Sequence, residues 1–527
     1  MVGIYDALIV GAGPVGLMLA CELGLAGVSV LVLESSPSPE SPWKVWPLGM
    51  RGLNVVAVEA LYRRGLLQKL TAAGQKASVD TTIPKTLNGK PLGRSGGRFG
   101  GHFAGIMLDA DKIEYDRWKY RIPGPSLKPQ PTTLAHVEAV LAERAESLGV
   151  KILRGVGVSK IVSEDDSGVT VEAGSNQTFR GRWLVGCDGG RSVIRKAAGI
   201  GFIGTEPKYS GYSAKCEWEP VDRLDTGFTA TNKGLYIALP GCLHVLDFDS
   251  AGFDRTQEVT KEHLQEVLNR VSGKTDVEIT KVDLASSSTD RCKQASSYRK
   301  DRIILAGDAA HIHSPMGAQG MNLGLGDSMN LGWKLAATIR QERVAAGRPL
   351  DLTLLDTYES ERRPIAAWVL EWTRAQVSTL LPDLYGSAVR SLIKDLIDTV
   401  DGTNLVVERV WGLSQRYVLG EDEAHRQPLV GGSAPDLELQ DESRLGPKLE
   451  SGRGLLVDLE RGQKLQNLAV DRQYGGRVDY LGMDVKDSRG LRAFLIRPDG
   501  IVAWVAEENE EPDLEALDRA LERWFKF

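Results

Sequence analysis

Residues 5–34 read YDALIVGAGPVGLMLACELGLAGVSVLVLE. Tyr5–Val10 is an apolar run of a length suited to a buried parallel strand. Gly11-Ala12-Gly13-Pro14-Val15-Gly16 follows at once and matches G-x-G-x-x-G. Gly11 permits a tight turn, Gly13 lets the backbone approach a pyrophosphate, and Gly16 lets the next helix lie close to the strand. Val15–Ala26 has helical length, and Gly27 stops it. Val28–Leu33 reads as a second strand. Glu34 ends it, where a carboxylate can accept bonds from both hydroxyls of a ribose. A lone glycine turn is weak evidence, but strand, turn, helix, strand and terminal acid in this order predict an α/β chain with a dinucleotide-binding unit. The pattern fits FAD and NAD alike.

At 527 residues the chain exceeds one ordinary domain, and two or three are expected. A net charge of -6 without a basic cluster argues against nucleic acid as the main partner. Backbone amides can still hold a small anion locally. Cys21, Cys187, Cys216, Cys242 and Cys292 are scattered, with no metal-knuckle or CxxC spacing. Buried thiols in a reducing cytosol are expected, and with them a cytoplasmic location. The apolar stretch Ile4–Leu33 lacks a basic start and is broken by glycines and Glu22. Neither a signal peptide nor a membrane span is expected there.

Two later segments repeat the theme of a strand ending in a glycine turn. Trp183–Cys187 (WLVGC) leads into Asp188-Gly189-Gly190-Arg191-Ser192-Val193-Ile194-Arg195, a crowded turn and a helix with two arginines, suited to phosphates. Arg302–Ala306 (RIILA) runs into Gly307-Asp308-Ala309-Ala310-His311. Pro315-Met316-Gly317-Ala318-Gln319-Gly320-Met321-Asn322 then opens an amphipathic stretch reaching Ile339. Free amides at that helix start suit a partly anionic ring edge, and Asp308 suits a chain of hydroxyls.

In this order the three segments resemble those of the class A flavoprotein monooxygenases, the aromatic-hydroxylase group typified by para-hydroxybenzoate hydroxylase. The likeness is greatest to the larger members that tailor polyketide antibiotics, and it spans residues 1–380. It implies a Rossmann-type FAD-binding domain, a β-sheet substrate domain and a thioredoxin-like C-terminal domain. It places Gly11, Gly13, Pro14, Gly16 and Glu34 on the ADP half of FAD, with Asp188 and Gly189 serving both FAD and NADPH or NADH. Asp308 falls on the ribityl chain. Pro315 lines the flavin face, Gly317 shapes the loop, and Gly320, Met321 and Asn322 offer amides to the pyrimidine edge. Lys44 and Arg51, within WKVWPLGMRGLN, are both candidates for the basic residue that family members hold near the flavin. The chain departs from the family at Ser35 and Ser36, where Arg is common, near Leu134, where Gln is found, and at Gln319, where Gly is usual.

Triplet dioxygen reacts slowly with closed-shell organic molecules, so a cofactor able to pass single electrons is needed in a dry pocket. The resemblance implies that NADPH or NADH reduces FAD, that oxygen adds at flavin C4a, and that the hydroperoxide attacks an aromatic or polycyclic substrate. No side chain is nominated as acid or base. Hydroxylation is the expected outcome. The alternatives are Baeyer–Villiger oxidation, epoxidation or oxidative rearrangement, or a non-catalytic FAD-binding protein that sequesters an intermediate. The chain is expected to act as a monomer or homodimer, away from membranes.

Segments 1–75, 105–200 and 285–380 are expected to build the FAD-binding domain, and 76–104 and 201–284 the substrate sheet. GLYIAL at Gly234–Leu239 and LHVLDF at Leu243–Phe248 are its clearest strands. Gly93–Gly105 reads as a loop or turn near the pocket. Residues 381–429 form a helical connector and 430–527 the thioredoxin-like unit, with strands at Gly454–Val457, Ala493–Ile496 and Ile501–Ala506 and a helix within Leu514–Phe525. That unit has no cysteine, which excludes thiol exchange and leaves a structural role. Truncation near Gly431 is expected to lower stability but spare FAD binding. His311 and His313, at i and i+2 without ligand-spaced partners, read as packed or hydrogen-bonded rather than metal-binding. Trp46 is either a substrate-entrance residue or a core aromatic.

Overall fold

The computed structural model describes residues 4–71, 86–87, 90–91, 99–249, 257–344, 349–420, 427–470, 474 and 476–526. Tyr5–Val10 is the central strand of a parallel sheet. Val30–Glu34 and then Lys151–Arg154 lie on one side, and Gln177–Gly186 and then Ile303–Leu305 on the other. Parallel strands covered on both faces need apolar side chains on both, and Ala7, Leu8 and Ile9 are fully buried. Helix Pro14–Leu25 begins with a proline, whose missing N–H is not needed at that position. It is buried from Gly16 to Leu23 because Gly320–Val344 and Leu134–Ser147 flank it. The long strand Gln177–Gly186 also pairs antiparallel with Gly168–Ala173, which pairs with Val158–Asp165.

A second sheet is antiparallel, in the order Gly227–Ala230, Gly234–Leu239, Cys242–Asp247, Ser210–Glu219, Glu278–Thr289. Alternation sends Tyr212, Ala214, Leu243 and Val245 to one face, where helix Lys261–Ser272 lays down Leu264, Val267, Leu268 and Val271. Thr260 caps the start of that helix, and Gly273, at φ +69, ends it. Leu235 and Leu246, on the opposite face, pack with Tyr209, Phe103 and Met316. The boundary expected at 284/285 falls inside Glu278–Thr289. A ladder from the Ser210/Thr289 pair to the Glu219/Glu278 pair, with two register shifts, carries the strand past it. The boundary expected at 104/105 likewise cuts the hairpin Phe99–Phe103/Ile106–Asp109. Of the glycine-rich segment expected to be a loop, 93–98 lie outside the described residues, and 99–105 form a strand and its turn.

Helices Thr353–Ser378, Leu384–Ile397 and Val400–Trp411 lead to the C-terminal unit. Its sheet runs Val478–Gly482, Gly454–Asp458, Leu491–Ile496, Val502–Glu507, with only the first pair parallel. Helix Leu514–Phe525 buries Leu517, Ala520, Leu521, Trp524 and Phe525. This unit seats on the parallel-sheet body through buried charges. Arg64 grips Glu22 at 2.7 and 2.8 Å and donates to the carbonyls of Leu449 and Pro498, each at 2.7 Å. Such pairs offset their desolvation only when further hydrogen bonds satisfy the remaining donors, and the two carbonyls do so here. Among the described residues no helix is long and apolar enough to cross a membrane.

Candidate active site

All five parallel strands end at one edge, and the loops leaving that edge converge. Gly11 follows the central strand at φ +105, and a Cβ there would lie 2.4 Å from the Cys187 carbonyl oxygen. A Cβ on Gly16 would lie 2.0 Å from the Gly11 carbonyl oxygen. Gly13 differs: its φ of -75 and ψ of 178 are open to any residue, so backbone freedom is not what it supplies. A Cβ there would meet nothing within 4 Å, which leaves a hollow before the positive end of helix Pro14–Leu25. Glu34 closes the turn, its Oε2 accepting from the Ala12 amide and its Oε1 from the Ser36 amide, both at 2.7 Å.

Asp188 leaves the neighbouring strand. Its Oδ2 accepts from the Val193 amide at 2.7 Å and the Ile194 amide at 3.1 Å, while its Oδ1 is buried with no partner. A buried carboxylate oxygen without a donor is costly in the free chain and suits a ligand hydroxyl. Gly189, at φ +77, leaves open space beside it. The expected helix with two arginines is the short Val193–Ala197, and Arg191 precedes it. Arg195 donates to the carbonyls of Gly190 and Ala309, each at 2.9 Å, and so ties two loops together.

Asp308 follows the last strand. Burial pushes its carboxyl pKa up, with His311 opposing, yet the side chain remains accessible, so it lines a hollow inside the fold. A Cβ on Gly320 would lie 3.5 Å from His313 Nε2, itself buried without a partner, and 3.9 Å from Asp308 Oδ1. Pro315 is exposed, and Gly317 and Ala318, at φ +86 and +53, turn the chain into helix Gly320–Val344. Asn322 clamps that helix start. Its Nδ2 donates to the carbonyls of Gly52 and Ala318, each at 2.9 Å, and its Oδ1 accepts from the Asn54 amide at 3.0 Å. Gln319 turns away, donating to the carbonyls of Gly317 and Val410. Met321 is half-buried beside it.

The two basic candidates separate. Lys44 Nζ is 2.6 Å from Glu138 Oε2, and the Glu138 carboxylate feels Glu34. Arg51 Nη1 donates to the carbonyls of Leu48 and Met50, at 3.1 and 2.7 Å, and its charge reaches His244 on the antiparallel sheet. His244 pairs with Ser213 Oγ at 2.8 Å and Cys242 Sγ at 3.2 Å. Burial first, and Arg51 second, hold its pKa down to about 4, so the ring is neutral at pH 7. Sequence reasoning missed Glu138, Ser213 and His244, since nothing local marks them. It also missed the carboxylate partner of His311: Asp327, whose Oδ2 lies 2.6 Å from His311 Nε2. Leu134 merely opens a helix capped by Thr133, and Trp46 is half-buried. The open cradle at Gly13, the unpartnered Asp188 oxygen and the hollow at Asp308 together fit an elongated molecule with a pyrophosphate, hydroxyls and a flat ring.

A family model described as FAD binding domain matches residues 4–373, and one described as aromatic-ring hydroxylase, C-terminal, matches residues 427–526. A protein from Claviceps purpurea (strain 20.1), named as a monooxygenase, is 47% identical over 520 residues, 98% of this chain and 97% of its own length. The rifampicin monooxygenase of Streptomyces venezuelae is 34% identical over 514 residues, 96% of this chain and 97% of its own. Among solved structures, the anhydrotetracycline hydroxylase OxyS from Streptomyces rimosus superposes with a TM-score of 0.81 at 34% identity, covering 100% of both chains.

Proposed function

Because this chain belongs to the FAD-dependent aromatic-ring hydroxylases, a family of flavin monooxygenases, we propose that it draws electrons from NADPH or NADH. With them it inserts one oxygen atom of dioxygen into an aromatic or polycyclic substrate of the natural-product type. The observation that carries this reading is the open space before the helix start at Gly13, with an unpartnered Asp188 oxygen and an accessible Asp308 after neighbouring strands of the same sheet. There the helix start at Gly13 and Pro14 would take the pyrophosphate, with Gly11 and Gly16 shaping the turn and Glu34 holding the ribose. Asp188 Oδ1 would accept from a ligand hydroxyl, Gly189 would leave room, and Asp308 would hold the ribityl hydroxyls. Pro315 and Gly317 would flank the ring, with the amides of Gly320, Met321 and Asn322 available to its pyrimidine edge. Bound flavin supplies the single-electron chemistry through which dioxygen becomes reactive.

The chain's own residues position and exclude. Arg51 is a fixed cation between the cofactor loop and the antiparallel sheet, while Lys44, held by Glu138, lies on the Glu34 side. Neutral His244 and Ser213 would offer a polar pair to a phenol-type hydroxyl. Leu235 and Leu246 on the same sheet face, with Phe103 and Met316 packed on them, would keep water from it. The free cysteines suit a reducing cytosol, where we place the protein. Purified protein is expected to be yellow and to release FAD on denaturation. It should consume NADPH or NADH faster with a polycyclic phenol present, giving a product labelled from 18O2. Release of FMN instead of FAD, or a product without label, would overturn the reading.

A further inference from the structure

Glu361 and Arg362 are consecutive residues of helix Thr353–Ser378 that face two different partners. Glu361 receives two bonds from Arg497 of the C-terminal unit, both at 2.8 Å. Asn330 and Lys334 complete its shell at 2.6 and 2.9 Å, and Asp499 braces Arg497 from behind. Arg362 donates to Asp327 Oδ1 at 2.8 Å, to the Leu323 carbonyl at 2.8 Å and to the Tyr417 hydroxyl at 2.9 Å. Tyr417 belongs to the segment leading into the C-terminal unit, and its amide donates to the Gly431 carbonyl at 2.9 Å. On the far side, Asp327 Oδ2 takes His311 Nε2 at 2.6 Å and the Gly307 amide at 3.0 Å. The next residue is Asp308. Arg362, Asp327, Lys334 and Arg497 have no exposed surface, so each charge depends on the others for its compensation.

We propose that docking of the C-terminal unit positions the cofactor aspartate: Arg497 and Tyr417 fix Glu361 and Arg362, these fix Asp327, and Asp327 fixes the turn that presents Asp308. Arg497, Tyr417, Arg362 and Asp327 are positioning residues, and the inference rests on Asp308 being a ligand of FAD. It gives the cysteine-free unit a task besides covering apolar surface. Arg497, stacked over Trp524 at 4.4 Å and Trp333 at 5.3 Å, cannot leave Glu361 without taking two donors from a buried carboxylate. The disturbance passes to Arg362 through the shared helix.

The test is a double-mutant cycle on the full chain, read as the Kd for FAD by fluorescence titration, with the melting temperature of each FAD-free variant measured alongside. Asp308→Asn is expected to weaken FAD binding about tenfold or more, Arg497→Met about tenfold and Tyr417→Phe about threefold. Arg497→Met should then cost less than about twofold when added to Asp308→Asn, because the positioned group is already disabled. If Arg497→Met does not fold, Tyr417→Phe, which removes one hydroxyl from the same chain of bonds, is taken through the same cycle. Equal losses in both backgrounds, or a lowered melting temperature with an unchanged Kd, would overturn the proposal while leaving Asp308 as a ligand. An unaffected Kd in Asp308→Asn alone would overturn the reading beneath it.

Discussion

Gly13 is needed for the space it leaves and not for its backbone freedom. The motif spacing is local and legible, and at φ -75 the backbone there is open to any residue. What a side chain at Gly13 removes is the hollow before the helix. Gly13→Val is therefore expected to fold normally by circular dichroism yet retain no FAD; normal flavin content would refute the role. His244, by contrast, sits in LHVLDF with no local mark, because its partners Ser213 and Arg51 are brought to it by sheet register and by the packing of distant segments. His102, His244 and His313 share a pKa held down to about 4, with burial as the main cause. The unfolded chain takes up these protons near the ordinary 6.5 and the native state does not. Stability from them is thus full above pH 6.5 and falls as pH drops towards 4, by at most about 1.4 kcal/mol per pH unit for each ring. Asp308, with its raised pKa, works the other way, so the informative quantity is a difference. His244→Gln is expected to flatten the fall in unfolding free energy between pH 6.5 and 4; an unchanged slope would mean this ring titrates normally.

Elements whose pattern is confined to a few neighbours were legible. Gly234–Leu239 is a strand over the span its sequence suggests, and the last helix runs Leu514–Phe525 as its apolar spacing demands. Phe99–Phe103 was not legible, since its glycines spell a turn and only pairing with Ile106–Asp109 makes it a strand. The start of helix Gly320–Val344 is held from outside the helix, by the Asn322 side chain across to Gly52 and Asn54. Asn322→Ala takes a partner from the Asn54 amide and from the Gly52 and Ala318 carbonyls, and should cost about 0.5–1.5 kcal/mol in denaturant unfolding. Flavin should also dissociate faster, because the three amides at that helix start lose their fixed position. A variant as stable as the parent would mean that water replaces the side chain at no cost.

At the scale of the whole molecule, the body and the C-terminal unit share buried charge as well as apolar surface. Truncation after Val430 removes Arg497 from Glu361 and two carbonyl acceptors from Arg64. Breaking one buried pair from one side typically costs 3–5 kcal/mol, so a loss of at least about 3 kcal/mol is expected. The truncated chain should precipitate or melt well below the full one; an unchanged melting temperature would show that the two parts merely touch. Charged pairs such as Glu361 and Arg497, separated by 136 positions, leave no trace in local composition, which is why the sequence suggested a detachable unit. The order of strands in the parallel sheet also governs how the protein is made. Of the two neighbours of Tyr5–Val10, Gln177–Gly186 is synthesised long after it, and Ile303–Leu305 later still. A strand with one edge left open while its second partner is awaited is a target for chaperones and for aggregation. Flavin capture has to wait until Asn322 has been translated, so colour in an expressing cell reports finished chains, and slowing translation before that point should enlarge the insoluble fraction while adding no pigment.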